Sequence, residues 1–387
     1  MKIVLLFLAI SFLTSSCVKV EKTYSNIVQK HIPDSCITIS LEKKELPIDL
    51  IYPTDIQVVD TFLLVSQHHN ENIIQAYSTL SLKHLGSFLK KGSGPNEVMT
   101  FGLIAQSYTE FGNPKLIIQS YPNYLGILNI KQSIESGRAV FDKQYKFETI
   151  LGKDLFLASH SVYVLDSVNL MMTKDPLRSG VKNDNNFFWE FYNSEKDVVT
   201  RQLKYENFSF MNSFLKESYR SLKPDRSKVA LFYRFFDMVS IADLKSGKVV
   251  QVIPSGKSID PNKVRDINLR CLYYKMGKCT NDYIFGLYAG GLSVLKEDDP
   301  MSNKNCSLRI YNWHGDLLYN YQFEDNVRTF CMNPKGIVVN ENTNGIITVN
   351  GHSYEGEDRQ TENTNFALLV AKHFSEPFKD SNGYGES

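Results

Sequence analysis

No Cys-x-x-Cys pair occurs in the 387 residues, so zinc-ribbon and thioredoxin-like redox chemistry lack their usual ligands. Charge of one sign is missing too: 43 basic residues stand against 42 acidic ones, for a net charge of +1. With no polybasic block to neutralise phosphates, nucleic acid is excluded as a natural partner. Beyond the amino terminus no run reaches the roughly 18 consecutive apolar residues of a membrane-spanning helix. Tryptophan is scarce, with only 2 copies, and helical apolar spacing is nearly absent. It surfaces once, at Phe210-Met211, Phe214-Leu215 and Leu222, where a short helix is expected beside strands.

What is present begins at the first residues. Lys2 precedes an apolar stretch from Ile3 to Leu13, followed by Thr14-Ser15-Ser16-Cys17. The stretch is too short to span a bilayer and ends in small residues, as a secretory signal does. The cysteine directly after them resembles the lipobox of bacterial lipoproteins. That resemblance implies removal of residues 1–16, a lipid on the Cys17 thiol, and a membrane-anchored protein of the cell envelope, facing the periplasm or the outside. Residues 17–35 are polar and mixed and read as a tether. The folded body is expected over 36–375, with a loose polar tail over 376–387.

Aromatic residues make up 12% of the chain, with 21 Tyr and 24 Phe, a bias that suits pleated sheets. Alternating apolar segments come in pairs around Gly, Asn or Ser turns. Ile74–Tyr77 leads to Leu82–Phe88, Leu125–Ile130 through Gly137 to Ala139–Phe141, and Trp189–Tyr192 to Val198–Thr200. Val239–Leu244 turns into Val249–Val252, Leu308–Tyr311 into Leu317–Tyr319, and Phe366–Val370 closes the series without a downstream partner. Such hairpins at intervals of roughly 50–70 residues match one four-stranded propeller blade each. The expected fold is all-β, a six-bladed β-propeller of four-stranded antiparallel blades. The six cysteines read mostly as buried free thiols. Cys271 and Cys279 are the nearest pair should one disulfide form, and five cannot all pair if Cys17 is lipidated.

Two motifs carry a family resemblance. Lys91-Gly92-Ser93-Gly94-Pro95-Asn96-Glu97 is similar to the Gly-x-Gly-Pro-Gly-Glu signature of TolB-like six-bladed β-propeller lipoproteins, with Asn96 in place of the third glycine. Pro224-Asp225-Arg226-Ser227-Lys228-Val229-Ala230 is similar to the Pro-Asp-Gly hairpin of their blades, with Arg226 where glycine is usual. Thr280–Tyr288 and Ile310–Asp316 also resemble the family. The resemblance implies a six-bladed propeller in the cell envelope and brings no catalytic set with it.

Gly92, Gly94, Pro95 and Glu97 are therefore read as a structural loop in which the glycines supply unusual dihedrals and Glu97 accepts backbone N–H groups. A phosphate cradle would need a Gly-Lys-Ser/Thr opening a helix. Gly351-His352-Ser353-Tyr354-Glu355-Gly356 misses the nucleophile-elbow spacing by one place. His68-His69-Asn70-Glu71 is the densest group of ligand types, but neighbours on a strand point to opposite faces. Glu297-Asp298-Asp299 and Asp184-Asn185-Asn186 lack calcium-loop spacing. No metal and no cofactor is expected. Phe187-Phe188-Trp189 and Tyr233-Arg234-Phe235-Phe236 read first as packing between blades and second as a stacking surface for a sugar or peptide.

The function expected is a binding or interaction module with an unknown protein or saccharide ligand at the propeller mouth. The alternative is an envelope hydrolase or lyase whose site converges at the axis, with His68, His69, His160, Asp184 and His352 as the pool of candidates.

Overall fold

The computed structural model describes residues 21–24, 27–31, 42–45, 53–67, 70–94, 96–98, 106–120, 124–146, 162–174, 188–204, 218–254, 264–296, 306–322, 327–333, 346–350 and 367–372. Three short strands come first: β1 (Glu21–Tyr24), β2 (Ile27–His31) and β3 (Glu42–Glu45). Then come β4 (Pro53–Val59), β5 (Phe62–Gln67), β6 (Asn72–Ser78) and β7 (His84–Lys90), a sequential antiparallel sheet. A second holds β8 (Gln106–Glu110), β9 (Asn113–Ser120), β10 (Tyr124–Asn129) and β11 (Phe141–Lys146). A third holds β12 (Val162–Val164), β13 (Asn169–Lys174), β14 (Phe188–Asn193) and β15 (Val198–Lys204). The fourth holds β16 (Ser218–Leu222), β17 (Lys228–Tyr233), β18 (Val239–Asp243) and β19 (Val249–Ile253). The fifth holds β20 (Cys271–Cys279), β21 (Tyr283–Ser293), β22 (Ser307–Asn312) and β23 (Leu317–Gln322). The last holds β24 (Val327–Asn333), β25 (Ile346–Asn350) and β26 (Ala367–Lys372) with β3, in the order β24-β26-β25-β3.

Successive sheets meet mostly through their first strands. β4 packs on β24 and β8, β9 on β12, β16 and β17 on β20, and β20 on β24. Each seam is an apolar layer: Leu64 and Phe88 with Leu116 and Leu128; Ile117 and Leu125 with Val162 and Leu170; Trp189 and Leu203 with Val229 and Leu231; Phe232 and Ile241 with Tyr274 and Ile284; Val65 with Leu287 and Phe330. A single sheet exposes two faces, so burying both requires a neighbour on each side. The protein is an all-β propeller of four-stranded antiparallel blades. Among the described residues no helix is long and apolar enough to cross a membrane.

Two features depart from the simple pattern. β1 pairs parallel to β15 and β2 parallel to β19, so the stretch expected as a tether supplies a fifth strand to each of two sheets. It thereby covers edges that would otherwise present unpaired N–H and C=O groups. As expected, β26 closes the series among the described residues without a downstream partner; it lies between β24 and β25, both earlier in the chain. Between β10 and β11 the chain inserts α1 (Ile130–Ser136) where a plain turn was expected. Asn129 caps it by accepting the Gln132 N–H, and Gly137 ends it at φ 65°. A capping side chain plus a left-handed glycine is the standard helix bracket. Of the short helix expected around Phe210, residues 205–217 lie outside the described residues, and Leu222 belongs to β16.

Cys271, Cys279, Cys306 and Cys331 are free thiols. Cys271 and Cys279 begin and end the same strand, β20, too far apart for a disulfide. Cys17 and Cys36 lie outside the described residues.

Aspartates close several turns. Asp166 accepts from the Val168 and Asn169 N–H groups, Asp225 from Ser227, and Asp243 from Lys245 and Ser246. Burial works against the charged form at each, but these donors outweigh it and hold all three carboxyls below the usual range. A lowered acidity constant stabilises the fold above the unfolded-state value and is lost as pH falls through the folded one. Asp243→Asn should therefore melt below wild type at pH 7, and the gap should close as the pH drops below about 4. A gap unchanged by acid would remove Asp243 as a contributor.

Candidate ligand site at the ring axis

Five of the first strands surround one cavity of about 480 Å³, within the usual range for small-molecule sites. Its wall is Asp55 and Gln57–Asp60 from β4 and its turn, Gln106–Thr109 from β8, Tyr219–Lys223 with Pro224 and Arg226 from β16 and its turn, Met276–Asn281 from β20 and its turn, and Met332 from β24. Most of these residues come from the ends of their strands that lead into the first turn of each sheet. The cavity therefore opens on one end of the ring.

Its floor is a buried ion pair across three sheets. Lys278 Nζ lies 3.0 Å from Asp55 Oδ1 and also donates to Ile56 O at 2.6 Å and Gln57 Oε1 at 3.1 Å. The same Asp55 oxygen accepts from Thr329 Oγ1 at 3.0 Å and from the Ile56 N–H at 2.9 Å. The Asp55 side chain is 1% exposed and that of Lys278 12%, so the carboxylate is spent on structure.

The wall borrows side chains to finish backbone pairing. Among the described residues β12 has no strand beyond it, and Gln106 supplies partners at its edge. Its amide donates to Val164 O and accepts from Val164 N–H, both at 2.8 Å, while Gln119 donates to Val162 O at 2.6 Å. Arg226 does the same for Leu165 O, and its guanidinium stacks over the Tyr108 ring, 5.2 Å from the centroid. Burial pushes the Tyr108 hydroxyl up to about 12. Burial likewise pushes the Cys279 thiol up to about 12, against the Ser221 hydroxyl that bonds it at 3.1 Å. A thiol so held is protonated at neutral pH and a poor nucleophile. Among the described residues no group of three or more His, Cys, Asp or Glu side chains is arranged to hold a metal ion, and no histidine lines the cavity.

The residues singled out from sequence fall elsewhere. His68, His69, Pro95, His160, Asp184 and His352, with the 297–299 acidic run and the 351–356 elbow-like stretch, lie outside the described residues. Glu71 pairs with Lys90 at 2.8 Å on the surface. Trp189, Tyr233, Phe235 and Phe236 are buried in the seam between the third and fourth sheets, so the rings at the mouth are Tyr108 and Tyr219 instead. In the Gly92–Glu97 loop, Glu97 Oε2 accepts the Gly94 N–H at 2.9 Å. Neither glycine takes the left-handed backbone that the sequence reading assigned to it; Asn96 does, at φ 64°. The glycines are needed for room, because a Cβ on Gly92 would overlap the Glu97 carboxylate and one on Gly94 would sit 3.0 Å from it. Gly92→Ala should displace that carboxylate and cost about 1–2 kcal/mol, the range of a lost charge-assisted hydrogen bond. An unchanged denaturation midpoint would mean the carboxylate is not anchored there.

With this geometry, comparison with known proteins becomes informative. Residues 34–335 match the family described as TolB-like 6-blade propeller-like. The chain belongs to that family. No curated protein matches it. Among solved structures, a member of the DUF4221 family from Bacteroides vulgatus ATCC 8482 superposes with a TM-score of 0.53 at 11% identity, covering 87% of this chain and 97% of its own. An exported-protein candidate from Bacteroides fragilis NCTC 9343 gives a TM-score of 0.45 at 14% identity, covering 90% of this chain and 100% of its own. At such identities the DUF4221 protein speaks for the fold alone.

Proposed function

We propose that this TolB-like chain is a lipid-anchored binding module of the cell envelope, built as six blades around one axis and taking its ligand, a saccharide or a protein segment, into the axial cavity. The observation that carries the reading is the cavity itself, walled by five sheets with mixed polar, aromatic and charged side chains. Rigid rings that present strand ends and turns around a hole are suited to recognition. Six sheets of the described chain and the six-blade description of the family support the blade count. The Ile3–Leu13 run and Cys17 support export and the anchor.

Ser107→Trp fills the cavity from β8 and tests the site. Compounds from a panel of sugars, uronates and short peptides that raise the melting temperature of wild type should lose that effect in the variant. A panel whose hits act equally on both proteins would move the site off the axis. Cys17→Ser tests the anchor: the variant should leave the membrane fraction for the soluble one, and unchanged membrane retention would refute lipidation at this thiol.

A further inference from the structure

Where the anchored end of the chain joins the ring decides which way the ring faces. β1 runs parallel to β15, with Glu21 opposite Arg201, so the backbone enters β1 from the side of the 194–197 turn that precedes β15. That turn joins the third strand of its sheet to the fourth. In a sheet of sequential antiparallel strands, such turns lie at the same end as those joining the first strand to the second, and these surround the mouth of the cavity. Arg201 marks the level. Its guanidinium donates to Leu244 O at 2.6 Å and Lys245 O at 3.3 Å, in the corresponding turn of the fourth sheet. Cys17 comes four residues before Glu21, a reach of at most about 14 Å when fully extended. The expected tether is therefore a short leash, taken up by β1 and β2 on the edges of two sheets, and a ring held so closely cannot stand clear of the bilayer.

The same end of the ring carries apolar side chains that meet no protein. Phe111 is 98% exposed and Leu80 74%. Leu80 stands in the turn between β6 and β7, which is fastened beside the mouth by the Thr79 N–H to Thr61 O at 2.9 Å. Phe111 stands in the two-residue turn between β8 and β9 at φ 47°. That left-handed position favours Asn, Asp or Gly and strains a bulky residue, and a phenyl group so exposed gives the fold no packing in return. Lysines flank both tips. Lys83 and Lys245 are exposed in two of these turns, and Lys131 donates to Gly112 O at 2.8 Å beside Phe111. Apolar tips among lysines suit the headgroup layer of a membrane, where the rings sink in and the ammonium groups stay wet. Ile267, Leu269 and Leu295 are exposed as well, but they lead into β20 or follow β21, at the opposite end of the ring.

Resting on the lipid anchor proposed above, we infer that the mouth end of the propeller docks face-on against the bilayer, with Phe111 and Leu80 seated among the lipid headgroups. The cavity then opens toward the membrane.

The experiment uses the full chain, purified from the membrane fraction into vesicles of phosphatidylcholine with phosphatidylglycerol. The photoreactive residue p-benzoylphenylalanine replaces Phe111, Leu80, Lys245, Ile267 or Leu295, one at a time, all exposed positions that tolerate it. After illumination, mass spectrometry should find lipid adducts at Phe111, Leu80 and Lys245 and none at Ile267 or Leu295. Adducts at Ile267 or Leu295 as strong as those at Phe111 would mean that the ring is turned over or tumbles, and adducts at Lys245 alone that it hangs by its edge; either result overturns the inference while the anchor stands. Flotation with the vesicles separates the two claims. Wild type should float and Cys17→Ser should not. If wild type stays behind, or Cys17→Ser floats equally well, the anchor is wrong and the docked face falls with it.

Discussion

Gly277→Val should yield no folded protein, and Gly277→Ala should lose about 3 kcal/mol of stability, the upper end for overpacking a closed core. Gly277 in β20 and Gly286 in β21 are direct cross-strand partners. Together they make a patch of sheet without side chains. Phe232, fully buried in β17 of the neighbouring sheet, lies in that patch. A Cβ on Gly277 would fall inside the Phe232 ring, and one on Gly286 would lie 2.8 Å from the Tyr274 ring and 2.9 Å from that of Phe232. Tyr274 flanks the ring, with centroids 5.7 Å apart, so Phe232 has no sideways escape. Phe232→Ala alone should cost about 3–5 kcal/mol through the cavity it leaves. Combined with Gly277→Ala, the loss should be smaller than the sum, because the methyl group enters space that the ring vacated. Equilibrium denaturation of the three variants measures this directly. Additive losses would show that the ring and the glycine do not meet.

The second large effect concerns the floor of the cavity. Asp55→Ala should cost about 3–5 kcal/mol, because it removes the counter-charge of the buried Lys278 ammonium and leaves it the neutral acceptors Ile56 O and Gln57 Oε1. Lys278→Met should cost less, since Thr329 and the Ile56 N–H still serve the remaining carboxylate. The double variant Asp55→Leu/Lys278→Met should recover most of the stability, as apolar replacement of a buried pair usually does. The pair joins β4 to β20, and Thr329 brings in β24, so the single variants should also loosen the seams around the axis. Hydrogen exchange of β4 and β24 reads that out, and wild-type protection in Asp55→Ala would confine the effect to the pair.

The hairpins were legible because they are local. Ile74–Tyr77 with Leu82–Phe88, and Val239–Leu244 with Val249–Val252, announce themselves by period-two alternation around a turn, and the structure places them as β6–β7 and β18–β19. Where a pairing spans most of the chain, the pattern has nothing to say. Lys22, Gln29 and Lys44 do not alternate with apolar neighbours, and β1, β2 and β3 form because outer edges of other sheets stand open to them. The cavity was hidden for the same reason: Asp55, Tyr108, Arg220 and Lys278 come from four sheets. One signal was in the sequence. Arg226 stands where the Pro-Asp-Gly turn usually has glycine, and it lines the cavity. The His68-His69 cluster misled because density of ligand types in sequence is no guide to convergence around an axis.

Among the described residues the strand Glu42–Glu45 pairs with Ile347–Asn350, whose own partner follows at Ala367–Lys372. A polypeptide is made and threaded amino end first. This early segment must wait, through nearly all of synthesis, for the late ones to arrive. The circle can be sealed only after the last stretch has emerged, so a messenger cut short before position 346 leaves a protein that cannot finish itself.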